Sequence, residues 1–145
     1  MKIAYLDCMS GISGDMTLGA LVDAGVDLGA IQAGIDSLGL PDCRLVATEA
    51  KKKGFRATKI TVEHEPEHAH RHLHHITEMI DESDVLTHSQ KELAKRIFTR
   101  LGEAEALVHG TTIRKVHFHE VGAVDSIADI VGSAIGWDLL GVDRI

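Results

Sequence analysis

Six histidines, His64, His68, His70, His72, His74 and His75, fall within twelve positions of this sequence. Imidazole nitrogen is a good ligand for Zn, Ni, Cu and Fe, whereas the hard ions Mg and Ca prefer oxygen. In an extended chain His68, His70 and His72 share one face. In a helix His70 and His74 are i,i+4 neighbours, and His72 and His75 are i,i+3 neighbours. Either geometry can present two or three nitrogens to a metal. The segment cannot adopt both at once, so spacing leaves the ligand set open, with a solvated polar face as the competing reading.

A second group lies in the stretch 116–129. If residues 116–119 are extended, His117 and His119 point the same way while Phe118 turns inward. Glu120 follows at the mouth of the Gly122 turn, and Asp125 and Asp129 stand on a helix opposite its apolar stripe of Ile127, Ile130, Val131, Ala134 and Ile135. Gly132 and Gly136 continue the acidic line, so another chain or a ligand can come close there. Taken singly, Asp125 reads as a helix cap and Asp129 as a solvated charge. Two His, one Glu and two Asp in so short a stretch favour a site. The pattern is not the HExxH of zinc proteases, since Glu120 follows the histidine pair and no second His lies four residues on.

The third group is Asp7-Cys8-Met9-Ser10-Gly11-Ile12-Ser13-Gly14-Asp15, between an expected strand and a helix. Gly11 and Gly14 let the backbone approach a ligand, Ser10 and Ser13 add hydroxyl donors, and the following helix N-terminus attracts anions. That combination suits a phosphate or carboxylate. Asp7 and Asp15 would repel a bare anion unless a cation sits between, as Mg²⁺ does in phosphate sites. No Gly-Lys-Ser/Thr follows, so this is not a Walker A loop. An ordinary tight turn with a capping residue is the alternative.

These groups need a frame. A chain of 145 residues with 44% hydrophobic residues is expected to form one domain over 1–145 with its own core. Aromatics are 3%, so the core is aliphatic and base-stacking platforms are absent. The formal charge of −7 repels phosphate backbones, which argues against nucleic acid and for cations. No apolar run approaches the length of a membrane span, the N-terminus is not a signal peptide, and Cys8 and Cys43 make no CxxC or disulfide framework. The expected setting is therefore cytoplasmic, without a membrane partner.

Periodicity predicts a buried strand over 2–7, a helix capped by Asp15 and running to about Gly25, and a helix over 28–38. A hairpin of 43–52 and 55–64 turns at Lys53-Gly54, and a helix covers 72–82. Thr87 and Gln90 form a capping box for a helix to about 108. A short strand at 113–118, a last helix capped by Asp125 and a strand start at 142–145 complete the order. The expected architecture is α/β (α+β): a two-layer sandwich, a small mixed sheet packed by helices, in an elaborated split βαβ arrangement. Because 142–145 looks like a strand just beginning, the chain is expected to be one piece of a longer polypeptide.

The first loop through Met16, the His70-Arg71-His72-Leu73 run, and residues 116–127 together resemble the N-terminal domain of the LarC family, the nickel-insertion proteins of nickel-pincer nucleotide synthesis. The resemblance spans essentially the whole chain. It implies that the full-length protein is a cyclometallase of lyase or chelatase type, inserting Ni²⁺ into pyridinium-3,5-bisthiocarboxylic acid mononucleotide at the expense of CTP. One nickel–carbon and two nickel–sulfur bonds then form in the cofactor used by lactate racemase. It also implies CTP, with Mg²⁺ or Mn²⁺, on a C-terminal domain absent here, so this fragment alone is expected to be inactive. The implied partners are the mononucleotide, nickel, other pathway proteins, lactate racemase and a possible second copy of the chain.

On this basis His68, His70, His72, His74, His75, His117 and His119 are the expected nickel ligands. Ser10, Gly11, Ser13 and Gly14 are the expected phosphate seat. Asp7, Asp15, Glu120 and Asp125 are expected to carry a cation or accept the proton that nickel displaces from the pyridinium carbon. A non-enzymatic nickel metallochaperone and a metal-dependent phosphohydrolase are the rival readings.

Overall fold

A computed structural model of the protein describes residues 1–66, 71–118 and 122–145. His68, His70, His119 and Glu120 lie outside the described residues. Helices form where apolar residues recur at helical spacing behind extended entry residues: α1 (Gly14–Asp23), α2 (Leu28–Asp36), α3 (Leu73–Glu82), α4 (His88–Val108) and α5 (Val124–Leu140). At the head of α2, the Asp27 carboxylate accepts from the Gly29 N–H at 3.1 Å. The capping box of α4 forms as expected. Thr87 Oγ1 accepts from the Gln90 N–H at 3.3 Å, and Gln90 Oε1 accepts from the Thr87 N–H at 3.0 Å.

Two expected caps are corrected. Ser13, not Asp15, is the N-cap of α1, and Ala123, not Asp125, is the N-cap of α5. Each aspartate sits two residues past the cap, inside the first turn, because the residue at the cap position already holds the extended backbone that starts the helix. Both carboxylates still meet the positive end of a helix dipole.

Strands β1 (Arg44–Lys52) and β2 (Phe55–Glu63) pair antiparallel from Arg44↔Glu63 to Lys52↔Phe55. Their two-residue turn has positive φ at both Lys53 (49°) and Gly54 (89°), the type I′ geometry that matches strand twist. Strands β3 (Arg71–His72) and β4 (His117–Phe118) form a second antiparallel pair, with Arg71↔Phe118 and His72↔His117. The strand expected over 113–118 is only this short because the Lys115 and Val116 N–H groups both turn back onto the Thr112 carbonyl. The α+β class holds, with the strands divided between two two-stranded sheets.

The expected buried strand over 2–7 is also corrected. Among the described residues its ladder contact is a single parallel bridge from Ile3 to Arg144, and Ile3, Tyr5 and Leu6 are exposed. Bridged along one edge, the segment leaves these side chains largely open to solvent.

Helix α5 is the centre of the core. Ile127, Val131 and Ile135 are fully or almost fully buried, together with Leu18 and Leu21 of α1 and Ile31 and Ile35 of α2. Its glycines let those helices come close. A Cβ on Gly132 would lie 3.0 Å from Leu18, and one on Gly136 would lie 2.7 Å from Leu21. The bare helix face noted in the sequence is thus occupied by α1 and α2. On the far side α4 is tied to α5 through Asp138, which accepts from Ser89 Oγ at 2.6 Å and from Gln90 Nε2 at 2.8 Å.

Two glycine substitutions should have opposite signs. A Cβ on Gly19 would sit 2.4 Å from the Thr58 carbonyl oxygen of β2, which is backbone and cannot yield. Gly19→Ala should cost about 1–3 kcal/mol, as overpacking does. At Gly29 in α2 the nearest atom, on Asp27, is at 3.4 Å, so Gly29→Ala should stabilise by about 0.5 kcal/mol through lower unfolded-state entropy. Urea midpoints of the two variants check both signs.

Candidate functional site

The β3–β4 pair joins two histidine groups that are far apart in sequence. Register places His72 opposite His117, and their ring centroids are 3.9 Å apart. Because β3 runs straight into α3, His74 and His75 follow on that helix's first turn, with centroids 5.4 and 5.5 Å from His72 and 4.0 Å from each other. His72 is half-buried, while His74, His75 and His117 are exposed. Four of the expected nitrogen ligands thus stand together. His64 makes no ring contact with them among the described residues. Its Nδ1 bonds the Glu65 carbonyl oxygen at 2.8 Å.

The hydrogen bonds differentiate these rings. His72 Nδ1 lies 3.0 Å from the Val116 carbonyl oxygen. A carbonyl only accepts, so Nδ1 is the donor in this bond, and in the neutral ring that leaves Nε2 to present a lone pair, the arrangement that commonly orients a metal-binding imidazole. His75 has the reverse arrangement: its Nδ1 accepts from the His72 N–H at 3.2 Å, which leaves the proton on Nε2. Among the described residues no three His, Cys, Asp or Glu side chains converge as a metal cage. The rings pack against one another with tilts of 20–59°, so a metal would have to turn them toward a common point.

The carboxylates gather where α1 meets α5. Gly14 packs directly on Asp129, and a Cβ there would fall 2.5 Å from the Asp129 side chain. Asp129 Oδ1 is buried and has no hydrogen-bond partner among the described residues. Burial first, then the neighbouring Asp15 and Asp125 carboxylates, push the Asp129 pKa up to about 6. Asp129 is therefore not the solvated charge that its helical position suggested. It is the acid that sequence reasoning undervalued, and the available signal was the glycine that opens α1 without a side chain. Asp15 accepts hydrogen bonds from Ser13 Oγ and from the Met16 N–H. The Asp125 carboxylate accepts from the Ser126 N–H at 2.8 Å.

The loop at 7–13 is exposed and turns at Gly11, whose φ of 87° requires glycine and whose N–H donates to the Cys8 carbonyl at 3.0 Å. Ser10, Gly11, Ser13 and Gly14 therefore lead into the positive end of α1, with three carboxylates close behind. Among the described residues no hydrogen bond or ion pair ties Asp7 to this group. Cys43 offers no thiolate, because burial, followed by Asp36, Asp125 and Asp129, pushes its pKa up to about 11.

Both clusters adjoin the start of α5. Arg71 of β3 donates from Nη1 to the Gly122 carbonyl at 2.8 Å, two residues before the helix begins. A side chain on Gly122 would collide with Phe118 and Arg71. From Val124 to Asp129 the helix rises only about 8 Å. The histidine pair and the carboxylates thus share one end of the molecule, joined by Arg71 and Gly122, neither of which the sequence reading had singled out.

A family model described as Nickel insertion protein matches residues 4–145. The chain is 62% identical over 143 residues to a Rhodopirellula baltica protein named "Putative nickel insertion protein", covering 99% of this chain and 36% of that one. It is 52% identical over 145 residues to the pyridinium-3,5-bisthiocarboxylic acid mononucleotide nickel insertion protein of Desulfitobacterium hafniense strain DCB-2, again spanning 36% of that protein. To a relative from Geobacter sulfurreducens it is 50% identical over 147 residues and spans 38% of the length. The chain thus spans a little over a third of the curated relatives it matches. No solved structure matches it.

The raised pKa of Asp129 makes stability depend on pH in a defined direction. A carboxyl titrating near 6 when folded and at 3.8 when unfolded binds its proton more tightly in the folded state. Its contribution is present in acid and is lost as pH rises from about 4 through about 6. Asp129→Asn should therefore raise the melting temperature at pH 7 and leave it nearly unchanged at pH 4. Thermal melts across that range check the sign, and an equal shift at both pH values would contradict it.

Proposed function

The chain belongs to the nickel insertion protein family, and from that premise we propose that it is the N-terminal, nickel-gathering part of an enzyme that inserts Ni²⁺ into pyridinium-3,5-bisthiocarboxylic acid mononucleotide. The observation that carries this reading is the β3–β4 register, which places His72 against His117 at 3.9 Å. Imidazoles suit a borderline divalent ion such as nickel. The His72 tautomer supplies one directed lone pair, and His117, His74 and His75 are within reach of the same ion once their rings turn. His68, His70 and His119 belong to the same proposal by sequence adjacency.

The mononucleotide phosphate is assigned to the loop of Ser10, Gly11, Ser13 and Gly14 at the head of α1, whose dipole favours an anion. The acids beside it serve nickel insertion in a second way. Bonding of nickel to a pyridinium ring carbon releases the proton from that carbon, and a carboxylate must take it. Asp129, titrating near neutral pH, suits that task best, with Asp15, Asp125 and Glu120 as neighbours that hold the local charge. CTP, with Mg²⁺ or Mn²⁺, is assigned to the part of the full-length protein that this chain does not span. The reaction class is that of a lyase or chelatase, the setting cytoplasmic, and the product the nickel-pincer cofactor of lactate racemase.

One observation favours a second reading. Since no three ligands converge among the described residues, the histidines could serve as a loading surface that passes nickel to a separate catalytic part, as a metallochaperone does. The two readings separate on nucleotide: the insertion reading requires mononucleotide binding that is lost in Ser10→Ala/Ser13→Ala, whereas the chaperone reading has metal binding alone.

Calorimetric titration with Ni²⁺ tests the metal site. The chain should bind nickel, and His72→Ala or His117→Ala should weaken binding at least about tenfold, or ~1.4 kcal/mol. His75→Ala, whose Nδ1 is already engaged, should weaken it less, and His88→Ala on α4 should leave it unchanged. Absence of binding, or affinities indifferent to His72 and His117, would reject the assignment.

A further inference from the structure

The first residues of this chain carry several exposed apolar side chains in succession. Ile3 is 59%, Tyr5 88% and Leu6 42% exposed. This segment runs parallel to residues 143–144: the Ala4 N–H donates to the Arg144 carbonyl at 2.9 Å, and the Asp143 N–H donates to the Lys2 carbonyl at 2.8 Å. Nearly the whole chain, ending in α5, connects the two segments, as the long connection between parallel strands requires. Along a strand the backbone groups alternate in direction. Those of Lys2 and Ala4 face 143–144, and those of Ile3 and Tyr5 face away. Among the described residues the N–H groups of Ile3, Tyr5 and Leu6 have no hydrogen-bond partner. Beneath them Ala4, Tyr5 and Leu6 border an apolar slot of about 150 Å³ against Leu21, Trp137 and Leu140.

A parallel ladder of two short segments, bare on one edge and one face, is not a stable end state. Parallel strands occur with both faces covered, and a free apolar edge is a template for a further strand. The relatives are much longer than this chain, which spans only 36% of the first two. We propose that a strand from the remaining part of the full-length polypeptide adds along Ile3–Leu6, extends the ladder into a parallel sheet and brings apolar cover over Ile3 and Tyr5. A second copy fits less well, since each copy has a formal charge of −7 and like charge opposes self-association.

Hydrogen exchange read by mass spectrometry on the peptide covering residues 1–8 tests this. It is compared between the 145-residue chain and the full-length Rhodopirellula baltica relative with this chain grafted in place of its matching part. The expected result is fast exchange in the chain alone and exchange about 100-fold slower in the longer protein. Tyr5→Pro, which removes one edge N–H, should lower the melting temperature of the longer protein by several degrees and leave the chain alone unchanged. The unmodified full-length relative, compared with its own matching third, gives the same readout if the graft fails to fold. Equal exchange rates in both forms would overturn the proposal. So would protection in the isolated chain that grows with protein concentration, since a second copy would then be the occupant.

Discussion

The contact on which this structure depends is the close packing of α1 on α5. Three glycines permit it: Gly14 against Asp129, Gly132 against Leu18 and Gly136 against Leu21. A Cβ at these positions would meet its neighbours at 2.5–3.0 Å, inside normal van der Waals contact, which a packed interior absorbs poorly. Because the helices meet at such short range, a carboxylate on α5 is forced under the first turn of α1. Its burial, its unpartnered oxygen and its raised pKa all follow from that approach.

The same end of α5 fixes the histidines. Arg71 holds the Gly122 carbonyl, β3 therefore lies beside the helix start, and pairing with β4 sets His72 across from His117. Among the described residues two pair on each strand, which is weak as a sheet but sufficient as a register. Placing a half-buried carboxyl with a raised pKa on the same end of the molecule as a cluster of imidazoles separates two kinds of chemistry within a short distance. The nitrogens suit nickel, and the carboxylates suit a proton or a harder cation.

Much of this was legible in the sequence. The hairpin, the Thr87–Gln90 capping box and the five helices follow from periodicity and turn residues, and the long-range approach of the two histidine groups was the central expectation from their chemistry. What sequence could not supply was anything set by tertiary proximity. Asp129 looks solvated on a helical wheel because the wheel does not know that α1 arrives on that side. Asp15 and Asp125 look like caps by residue type, but backbone angles put the caps at Ser13, which sequence ranks equal to Asp15, and at Ala123, which has no capping side chain. Residues 2–7 look buried because an apolar run is ordinarily covered, yet among the described residues it is bridged along one edge, at Arg144, and its large side chains stay exposed. Arg71 was hidden among histidines, and its role is a backbone contact that no motif announces.

The central claim is that residues from both histidine groups bind one nickel ion. Anomalous scattering at the nickel absorption edge from a nickel-loaded crystal tests it most directly. The account predicts a single strong peak about 2.1 Å from His72 Nε2, a normal imidazole–metal distance, with a His117 nitrogen in the same coordination sphere. A peak bound only by residues of the 64–75 stretch, with His117 turned away, would contradict it, as would nickel held by the carboxylates around Asp129 instead.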